Sequence, residues 1–475
     1  MHQHEKSVYK KNCLVQFISK ADICAKQLKM INIAQIKWYF SKLPIEKIGF
    51  ESGFIQVENK LTALSFVLGF FESFSSNGEV KTILWVQRIS DIIGQPLSIQ
   101  GLSKRLGWKC VNMCEQLLSS SLTYTLQKAS KLFTQGGVFK HFTKIYLEDS
   151  TCLKLPPLLY STYGGCSNQK GYYAVCRVQV RFELISENIE AISIHNYSKN
   201  DSSFADNIVA QLTEGCLVIR DLGYFSIAVF ERIHLLGAFF ISRWHPNTKL
   251  VCPQTLKRID FSEMLKKAQQ AGLDIIDKEV LLGIKKQIKV RFIAIKLPED
   301  VEAQRKLNAQ KRQKAKGAKH KYNQSYYEHL GWAIYITNVS ADKLTYLDIW
   351  HLYQFRWRIE IIFKAWKSHL KIVNCLKDKN CLNPCQIIIR LYLMLTWIVL
   401  CLVPAYNYFQ YKIYQTEKRF VSLAKFADYY RQNFQKFVNE LDWDKQIPFI
   451  KAFCLYEKRK NQGNYFEKIY TMNSC

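Results

Sequence analysis

The sequence is poor in proline, glycine and acidic residues. Its 475 residues include 10 prolines and 20 glycines, which excludes a collagen-like chain and a proline- and glycine-rich low-complexity chain. The chain has 39 acidic and 67 basic residues, so its formal net charge is +28. A chain with this excess of positive charge repels itself. The usual reason to keep the excess is a polyanionic partner, either nucleic acid or an anionic membrane.

Long apolar segments are also scarce. Residues 1–6 (MHQHEK) lack the apolar stretch of a secretory signal. One apolar run, residues 391–403, is shorter than the roughly 20 residues that cross a bilayer, which predicts a buried helix. The 15 cysteines have no dense regular spacing, so we interpret them as reduced thiols. These patterns predict a cytoplasmic protein that binds nucleic acid and no membrane.

The chain has enough apolar material for several cores, since 48% of its residues are hydrophobic and 14% are aromatic. The residue patterns predict five segments along it. These are a helical N-terminal DNA-binding domain (1–140), the first part of an α/β core (141–245), a β-rich insertion domain (246–330), the second part of the core (331–370) and a helical C-terminal domain (371–475).

Within the first segment, residues 96–117 have the pattern of two helices joined by a tight turn. A short helix precedes Gly107, and a second helix continues through Val111 and Leu117. This arrangement is typical of a helix-turn-helix that reads DNA. An ordinary helical hairpin has the same pattern, and both interpretations stay open.

The second segment alternates between strand and helix patterns. The predicted strands are residues 144–149, 173–184, 189–195, 216–221 and 238–242, and the predicted helices are residues 203–213 and 226–236. Three strands, a helix, a strand, a helix and a strand follow one another in that order. This is the order of a ribonuclease-H-like α/β core.

The third segment combines two predicted strands, residues 273–282 and 288–295, with a basic run at 305–321 that contains no acid. The basic residues are Arg305, Lys306, Lys311, Arg312, Lys314, Lys316, Lys319 and Lys321. Such a run is either a solvated face or a surface that contacts phosphates, and the global charge favours the second interpretation. The core is predicted to resume with a strand at 331–338 and a long helix at 344–370.

Three acids stand where a metal site can assemble. Asp149 and Asp221 each end a predicted strand, and Glu360 lies in the long helix. An aspartate at a strand end is often only a turn former or a helix cap. Side chains at the carboxyl ends of neighbouring strands, however, converge in one crevice. Three carboxylates brought together repel unless divalent cations neutralise them, and Mg²⁺ or Mn²⁺ prefers such oxygen ligands.

The long helix carries four polar residues on one stripe. Tyr353, Arg356, Glu360 and Lys367 are three, four and seven residues apart, which places them within about 60° of one another on a continuous helix. A phenol, a guanidinium, a carboxylate and an ammonium suit a metal ligand flanked by phosphate-binding groups. A salt-bridged surface helix is the alternative.

These four residues match the Y-(2)-R-(3)-E-(6)-K signature of one branch of DDE transposases from bacterial insertion sequences. Residues 218–225 (VIRDLGYF) resemble the second acidic motif of that family, and residues 147–151 (LEDST) resemble the first. The long gap between Asp221 and Glu360 is similar to that of the family, in which a β-strand insertion domain interrupts a ribonuclease-H-like fold. The resemblance covers residues 95–370.

The resemblance implies a DNA transposase that cleaves insertion-sequence ends and joins them to target DNA. Asp149, Asp221 and Glu360 would be the catalytic triad and would bind two divalent ions, Mg²⁺ or Mn²⁺. Double-stranded DNA with terminal inverted repeats, target DNA and a second copy of the chain in a synaptic dimer would be the partners. The residues implied at the DNA are Tyr353, Arg356 and Lys367 on phosphates, and Trp332, which either stacks a flipped base or packs in the core.

Two rival functions stay open. One is a metal-dependent nuclease of the same fold that transfers no strand, and the other is a transposase-derived protein that binds DNA without catalysis. His369, Cys375, Cys381 and Cys385 are a weaker candidate for a zinc site, because their spacing lacks a CxxC pair. The sequence has neither a P-loop nor a dinucleotide-binding fingerprint, so neither ATP nor NAD is implied.

Overall fold

A computed structural model describes residues 43–57, 60–77, 80–128, 136–168, 171–197, 201–284, 287–316, 322, 324–376, 383–439, 442–457, 467–469 and 472. These residues form two compact units. The first contains the described residues of Met1–Phe133, Ser186–Glu190 and Ile362–Glu457, and the second contains those of Thr134–Ile185, Ala191–Ile361 and Lys458–Cys475.

The described N-terminal part of the first unit is helical. Its helices are α1 (Ile45–Glu51), α2 (Ala63–Asn77), α3 (Thr82–Ile93), α4 (Ile99–Ser103) and α5 (Trp108–Lys128). Helix α3 ends at Gly94, whose φ of +67° lies in the left-handed region that favours glycine. Helix α4 begins after Ser98, whose hydroxyl accepts the Gly101 N–H at 3.0 Å. The predicted short helix, turn and second helix at 96–117 are confirmed, and their contact with DNA stays a prediction.

The second unit is built on one mixed sheet with helices. Its strands, of which β4 begins in the first unit, are β1 (Ile145–Leu155), β2 (Gly164–Asn168), β3 (Gly171–Glu183), β4 (Asn188–Asn196), β5 (Leu217–Arg220), β6 (Phe239–Arg243), β7 (Leu250–Val251), β8 (Arg258–Ile259), β9 (Ile275–Leu282), β10 (Ile288–Lys296) and β11 (Trp332–Thr337). Its helices are α6 (Asp201–Phe204), α7 (Ile227–Leu235), α8 (Phe261–Gln270), α9 (Glu299–Lys316), α10 (Gln324–His329), α11 (Tyr346–Gln354) and α12 (Trp357–Lys364), of which α12 continues into the first unit. This is the predicted α/β class.

The strand order sets the geometry of the sheet. The order is β2-β3-β1-β5-β6-β11-β10-β9-β7-β8, and β4 also pairs with β3. Strand β1 is antiparallel to β3 and parallel to β5, and β5 is parallel to β6. The β1–β5 register places Glu148 opposite Arg220. Asp149 follows Glu148 and Asp221 follows Arg220, so both aspartates lie at the carboxyl end of this parallel pairing.

The strands predicted at 273–282 and 288–295 are confirmed as β9 and β10. Strand β10 pairs with β11, with Lys296 opposite Trp332, so both belong to the same sheet as the core strands. The described residues of this region also form three helices, among them α9, which carries the basic run from Arg305 and has three acids in its first turn. Whether residues 246–330 form a separate insertion domain stays a prediction, as does the division into five domains.

Two predicted helices are wrong in their extent. The helix expected at 203–213 is only α6 and a separate 3₁₀ turn at Val209–Gln211. The continuous helix expected at 344–370 is interrupted, because α11 ends at Gln354 and α12 begins at Trp357. The chain then continues as a π-helical turn at Ala365–His369. Between α11 and α12 the bonds tighten to the 3₁₀ type, as in the 2.8 Å bond from the Arg358 N–H to the Phe355 carbonyl.

The C-terminal part of the first unit is also helical. Its helices are α13 (Ile372–Leu376), α14 (Pro384–Trp397), α15 (Val403–Glu417), α16 (Leu423–Gln432), α17 (Phe434–Asn439) and α18 (Ile447–Phe453). Helices α14 and α15 are joined by a π-helical turn into one 34-residue helix, which is longer than residues 391–403 suggested. This helix is long and apolar enough to cross a membrane, but 89% of its most apolar stretch is buried inside the protein. The prediction of a buried helix is confirmed.

The N-terminal and C-terminal helices of the first unit pack on each other. The Asn383 amide donates to the Leu106 carbonyl at 2.7 Å, and the Gln386 amide donates to the Thr82 hydroxyl at 2.7 Å. The ring of Trp397, on α14, meets Phe74 edge-on with centroids 5.3 Å apart. The N-terminal and C-terminal parts of the first unit therefore contribute to one core.

Candidate active site

Each of the two aspartates directly follows a member of a buried ion cluster. Glu148 accepts from the Arg181 guanidinium at 3.0 Å and from the Arg220 guanidinium at 2.8 Å, and all three side chains are buried. Charges in this position are stable only when they are paired and hydrogen-bonded. Because Glu148 precedes Asp149 and Arg220 precedes Asp221, this cluster fixes the backbone immediately before both aspartates.

Arg356 brings the three predicted acids together. Its Nη1 lies 2.6 Å from Glu360 Oε1 and 3.4 Å from Asp149 Oδ2, and its Nε lies 3.8 Å from Asp221 Oδ1. The Arg356 side chain is only 11% exposed. The Tyr353 hydroxyl donates to Asp221 Oδ1 at 3.3 Å. Five residues predicted from the sequence therefore form one site in the second unit, in spite of the break between α11 and α12.

The surroundings of this site shift three ionisation equilibria. Burial raises the pKa of Asp149 to about 6, although the Ser150 N–H and the Arg356 charge oppose the rise. Burial also raises the pKa of Tyr353, and the charge of Asp221 adds to the effect. Burial opposes protonation of Arg356, but Tyr353, Asp221 and Glu360 outweigh it, so the pKa of the guanidinium is raised. Arg356 is therefore a fixed positive charge among the acids.

The donor chemistry of the site fits a divalent metal ion. Asp149, Asp221 and Glu360 supply carboxylate oxygens, the ligands that Mg²⁺ and Mn²⁺ prefer. In the described part of the chain, however, no three histidine, cysteine, aspartate or glutamate side chains are arranged to hold an ion. The Arg356 guanidinium lies among the three carboxylates and supplies the positive charge in this conformation. His369, Cys375 and Cys385 are described and form no such group, and Cys381 lies outside the described residues.

Two of the predicted DNA-contacting residues, Lys367 and Trp332, make none of the contacts described for Arg356 and the three acids. Lys367 is exposed on the π-helical turn and belongs to the first unit. Trp332 is 2% exposed and belongs to the hydrophobic core of the second unit. A buried indole has no free face on which a base can stack. Packing is the role that this structure gives Trp332, and base stacking stays a prediction that requires it to leave the core.

The basic run is not one uniform surface. The half-buried Arg305 donates to the Trp332 carbonyl at 3.3 Å, and Lys306 pairs with Glu302 one turn earlier on α9. Burial lowers the pKa of Arg305. Further along α9 three basic side chains are exposed: Lys311, Arg312 and Lys314. Lys316 ends the helix, and Lys319 and Lys321 lie outside the described residues.

A polar network beside the aspartates was missed by sequence reasoning. Asp201 accepts hydrogen bonds from Ser150, Arg177 and Gln179, and the Tyr224 hydroxyl donates to Gln179. The one sequence signal is the alternation of polar and apolar residues on β3 (RVQVR, 177–181), which places three polar side chains on one face of the strand. Nothing in the sequence connects that face with Asp201.

Comparison with known proteins shows the family to which this chain belongs. Residues 140–396 match the family model of the transposase DDE domain, which implies a ribonuclease-H-like fold. The transposase for insertion sequence element IS231F of Bacillus thuringiensis subsp. israelensis is 25% identical, over 80% of this chain and 81% of the relative. The transposase for IS1151 of Clostridium perfringens is 27% identical, over 74% and 76%. The transposase for IS231D of Bacillus thuringiensis subsp. finitimus is 24% identical, over 89% and 90%. Because the family model spans more than half of its length, this chain belongs to the DDE transposase family.

Proposed function

We propose that Asp149, Asp221 and Glu360 are the catalytic acids with which this transposase cleaves the ends of an insertion sequence and joins them to target DNA. The observation that carries the proposal is the meeting of all three carboxylates around Arg356. Two of the acids stand at the carboxyl end of the parallel β1–β5 pair, and the third stands on α12. The side chains of Asp221 and Glu360 are 43% and 36% exposed, so a substrate can approach them from this side.

A DDE transposase domain implies dependence on divalent metal ions, and we propose two ions, Mg²⁺ or Mn²⁺. When bound, such ions activate a water or a DNA 3′-hydroxyl and stabilise the leaving oxygen. Asp149, Asp221 and Glu360 would hold them. The Tyr353 hydroxyl, already bonded to Asp221, orients that carboxylate. This chemistry needs no covalent protein–DNA intermediate, so no serine, cysteine or tyrosine is assigned as a nucleophile.

As a transposase, the protein acts on DNA, and its basic residues are the proposed contacts. Arg356 and Lys367 would hold phosphates near the cleaved DNA end. The exposed basic residues of α9 would contact DNA phosphates further from that end. The helix-turn-helix at 96–117 would recognise the terminal inverted repeat. A synaptic dimer would bring two ends together in the cytoplasm, with residues 246–330 as an insertion domain and helical domains on either side of the core.

A joining assay tests the proposed reaction. The purified full chain is incubated with Mg²⁺, a labelled duplex carrying the inverted repeat that flanks its gene, and a target plasmid. We expect cleavage at the repeat and covalent joining of the 3′ end to the target. Nicking without joined product would instead establish a nuclease of the same fold. Binding without cleavage would establish a DNA-binding protein that has lost catalysis.

A further inference from the structure

We infer that Asp201 is a positioning residue of the active site, although it belongs to none of the motifs that define the triad. Its role would be to hold the segment that follows Asp149 and the turn that follows Asp221 in a fixed relation. The inference rests on the proposed triad, because it concerns the spacing of two of its members.

The Asp201 carboxylate gathers three donors on one oxygen. Its Oδ1 accepts from the Ser150 hydroxyl at 2.6 Å, from Arg177 Nη1 at 2.7 Å and from Gln179 Nε2 at 3.1 Å. The Asp201 side chain is only 23% exposed, and Arg177 balances its charge. Charge-assisted hydrogen bonds in such a position are short and geometrically strict. The hydroxyl of the residue after Asp149 is therefore anchored to a carboxylate that comes from a different part of the chain.

The network continues to the turn after Asp221. The amide oxygen of Gln179 accepts from the Tyr224 hydroxyl, while the amide nitrogen of the same side chain donates to Asp201. Asp201 also lies directly against this turn, because a side chain at Gly223 would come within 3.2 Å of Asp201 Oδ2. Glycine therefore leaves room for this approach, and any larger residue would make the contact tight. Asp201 contacts both segments, one through Ser150 and the other through Gly223 and Gln179.

This network adds to the ion cluster of Glu148, Arg181 and Arg220, whose Arg181 lies on the same face of β3 as Gln179. Glu148 and Arg220 fix the backbone one residue before each aspartate, whereas Ser150 and Tyr224 fix it after each. The two catalytic aspartates are therefore held on both sides. Asp201 is bonded to none of the three proposed catalytic acids in the described contacts, so it would act through Ser150 and the turn and not on the substrate itself.

A positioning role predicts an effect on metal affinity. Removing a polar group that orients metal ligands costs about 10- to 100-fold in affinity. We expect Asp201→Ala to raise, by about tenfold, both the Mn²⁺ concentration for half-maximal cleavage and the Mn²⁺ dissociation constant measured by calorimetry on the full chain without DNA. Asp201→Asn keeps an acceptor oxygen but loses the charge, so its shift should be smaller.

A matched control is available on the same stretch of chain. Asp206 also pairs with an arginine, Arg232, but both side chains are about half exposed. Asp206→Ala should leave both Mn²⁺ values at the wild-type level. A second variant, Ser150→Ala, removes one arm of the network at a strand position that alanine tolerates. Ser150→Ala should raise both Mn²⁺ values. If Asp201→Ala does not fold, Ser150→Ala alone tests whether the network positions the aspartates.

The outcomes separate this inference from the triad assignment. If Asp149→Asn retains cleavage, the triad itself is wrong. If Asp149→Asn is inactive while a folded Asp201→Ala keeps the wild-type Mn²⁺ values, only the role of Asp201 is overturned. Lower thermal stability of Asp201→Ala with unchanged Mn²⁺ values would likewise overturn it, because it would show a purely structural role.

Discussion

The guanidinium of Arg356 donates to the carboxylate of Glu360 at 2.6 Å, four residues further along the chain. The same guanidinium also lies within ion-pair distance of Asp149 and Asp221. One arginine thus neutralises part of the charge of three acids. The arginine of the signature therefore contacts the three acids, in addition to the phosphate contact that the resemblance implies.

In EDTA, Arg356→Ala should lower the free energy of unfolding by about 2 kcal/mol. The variant loses charge-assisted hydrogen bonds, and the three carboxylates that remain repel one another. Added Mg²⁺ should recover stability in this variant more than in the wild type, since the acids then lack an internal cation. Chemical unfolding in EDTA measures the loss of stability, and the same experiment in Mg²⁺ measures its recovery. Arg232→Ala, which breaks an exposed pair, should cost under about 1 kcal/mol. An identical Mg²⁺ response in Arg356→Ala and wild type would contradict this role.

Lys367→Ala should behave differently from Arg356→Ala. Lys367 is exposed, so its removal should leave the free energy of unfolding unchanged within about 0.5 kcal/mol. It should weaken the complex with end DNA and lower the salt dependence of binding, because one phosphate contact is lost. Gel-shift titrations at several salt concentrations measure this. Lys364→Ala, an exposed lysine outside the signature, is the control, and equal effects of the two variants would remove the special role of Lys367.

The raised pKa of Asp149 predicts a pH-dependent stability. Burial raises this pKa to about 6 from 3.8, so the fold favours the protonated carboxyl. The favourable contribution is complete below pH 3.8 and is lost as the pH rises through 6. In EDTA, Asp149→Asn should therefore be more stable than wild type at pH 8, by up to about 3 kcal/mol, and the gain should vanish near pH 4. Urea unfolding across this range tests it, and a pH-independent difference would refute it.

Much of the site could be predicted from the sequence because its signals are local. Asp221 directly follows a short apolar strand, and Arg356 and Glu360 are separated by one helical turn. The strand predicted at 144–149 was wrong in its extent, because β1 continues through Asp149 to Leu155 by pairing with β3. The break between α11 and α12 was not predictable, since no proline or glycine marks it. Asp201 was missed for a related reason, because its partner Ser150 lies 51 residues away and only the folded sheet brings them together.

In the helices of the first unit, too, the local features were predictable from the sequence and the long-range contacts were not. Residues 391–403 were correctly expected to be buried. The length of their helix was not predicted, because it depends on the π-helical turn at Ile398–Leu402, which connects α14 to α15. Pro404 lies in the first turn of α15 and does not end the helix. The packing of N-terminal on C-terminal helices rests on contacts such as that of Asn383 with Leu106, which are 277 residues apart. Such pairings carry no local pattern.

A synaptic dimer predicts a dominant effect of an inactive chain. Glu360→Gln removes one carboxylate without a large change in volume, so mixed dimers should assemble and carry one inactive site. Equal amounts of wild-type and Glu360→Gln chains should reduce double-end cleavage to about a quarter if both sites are required and chains mix at random. Native mass spectrometry of the end complex gives the stoichiometry. A reduction to one half, with one chain per pair of ends, would exclude the dimer.

The assignment of the triad is tested most directly by strand transfer with three single variants, Asp149→Asn, Asp221→Asn and Glu360→Gln. Each should bind end DNA with wild-type affinity, because affinity comes mainly from basic contacts. Each should show no detectable cleavage or joining in Mg²⁺, because a metal-binding carboxylate is missing. Lys364→Ala should cleave and join at the wild-type rate. Wild-type strand transfer in any one of the three acidic variants would contradict the assignment of that residue.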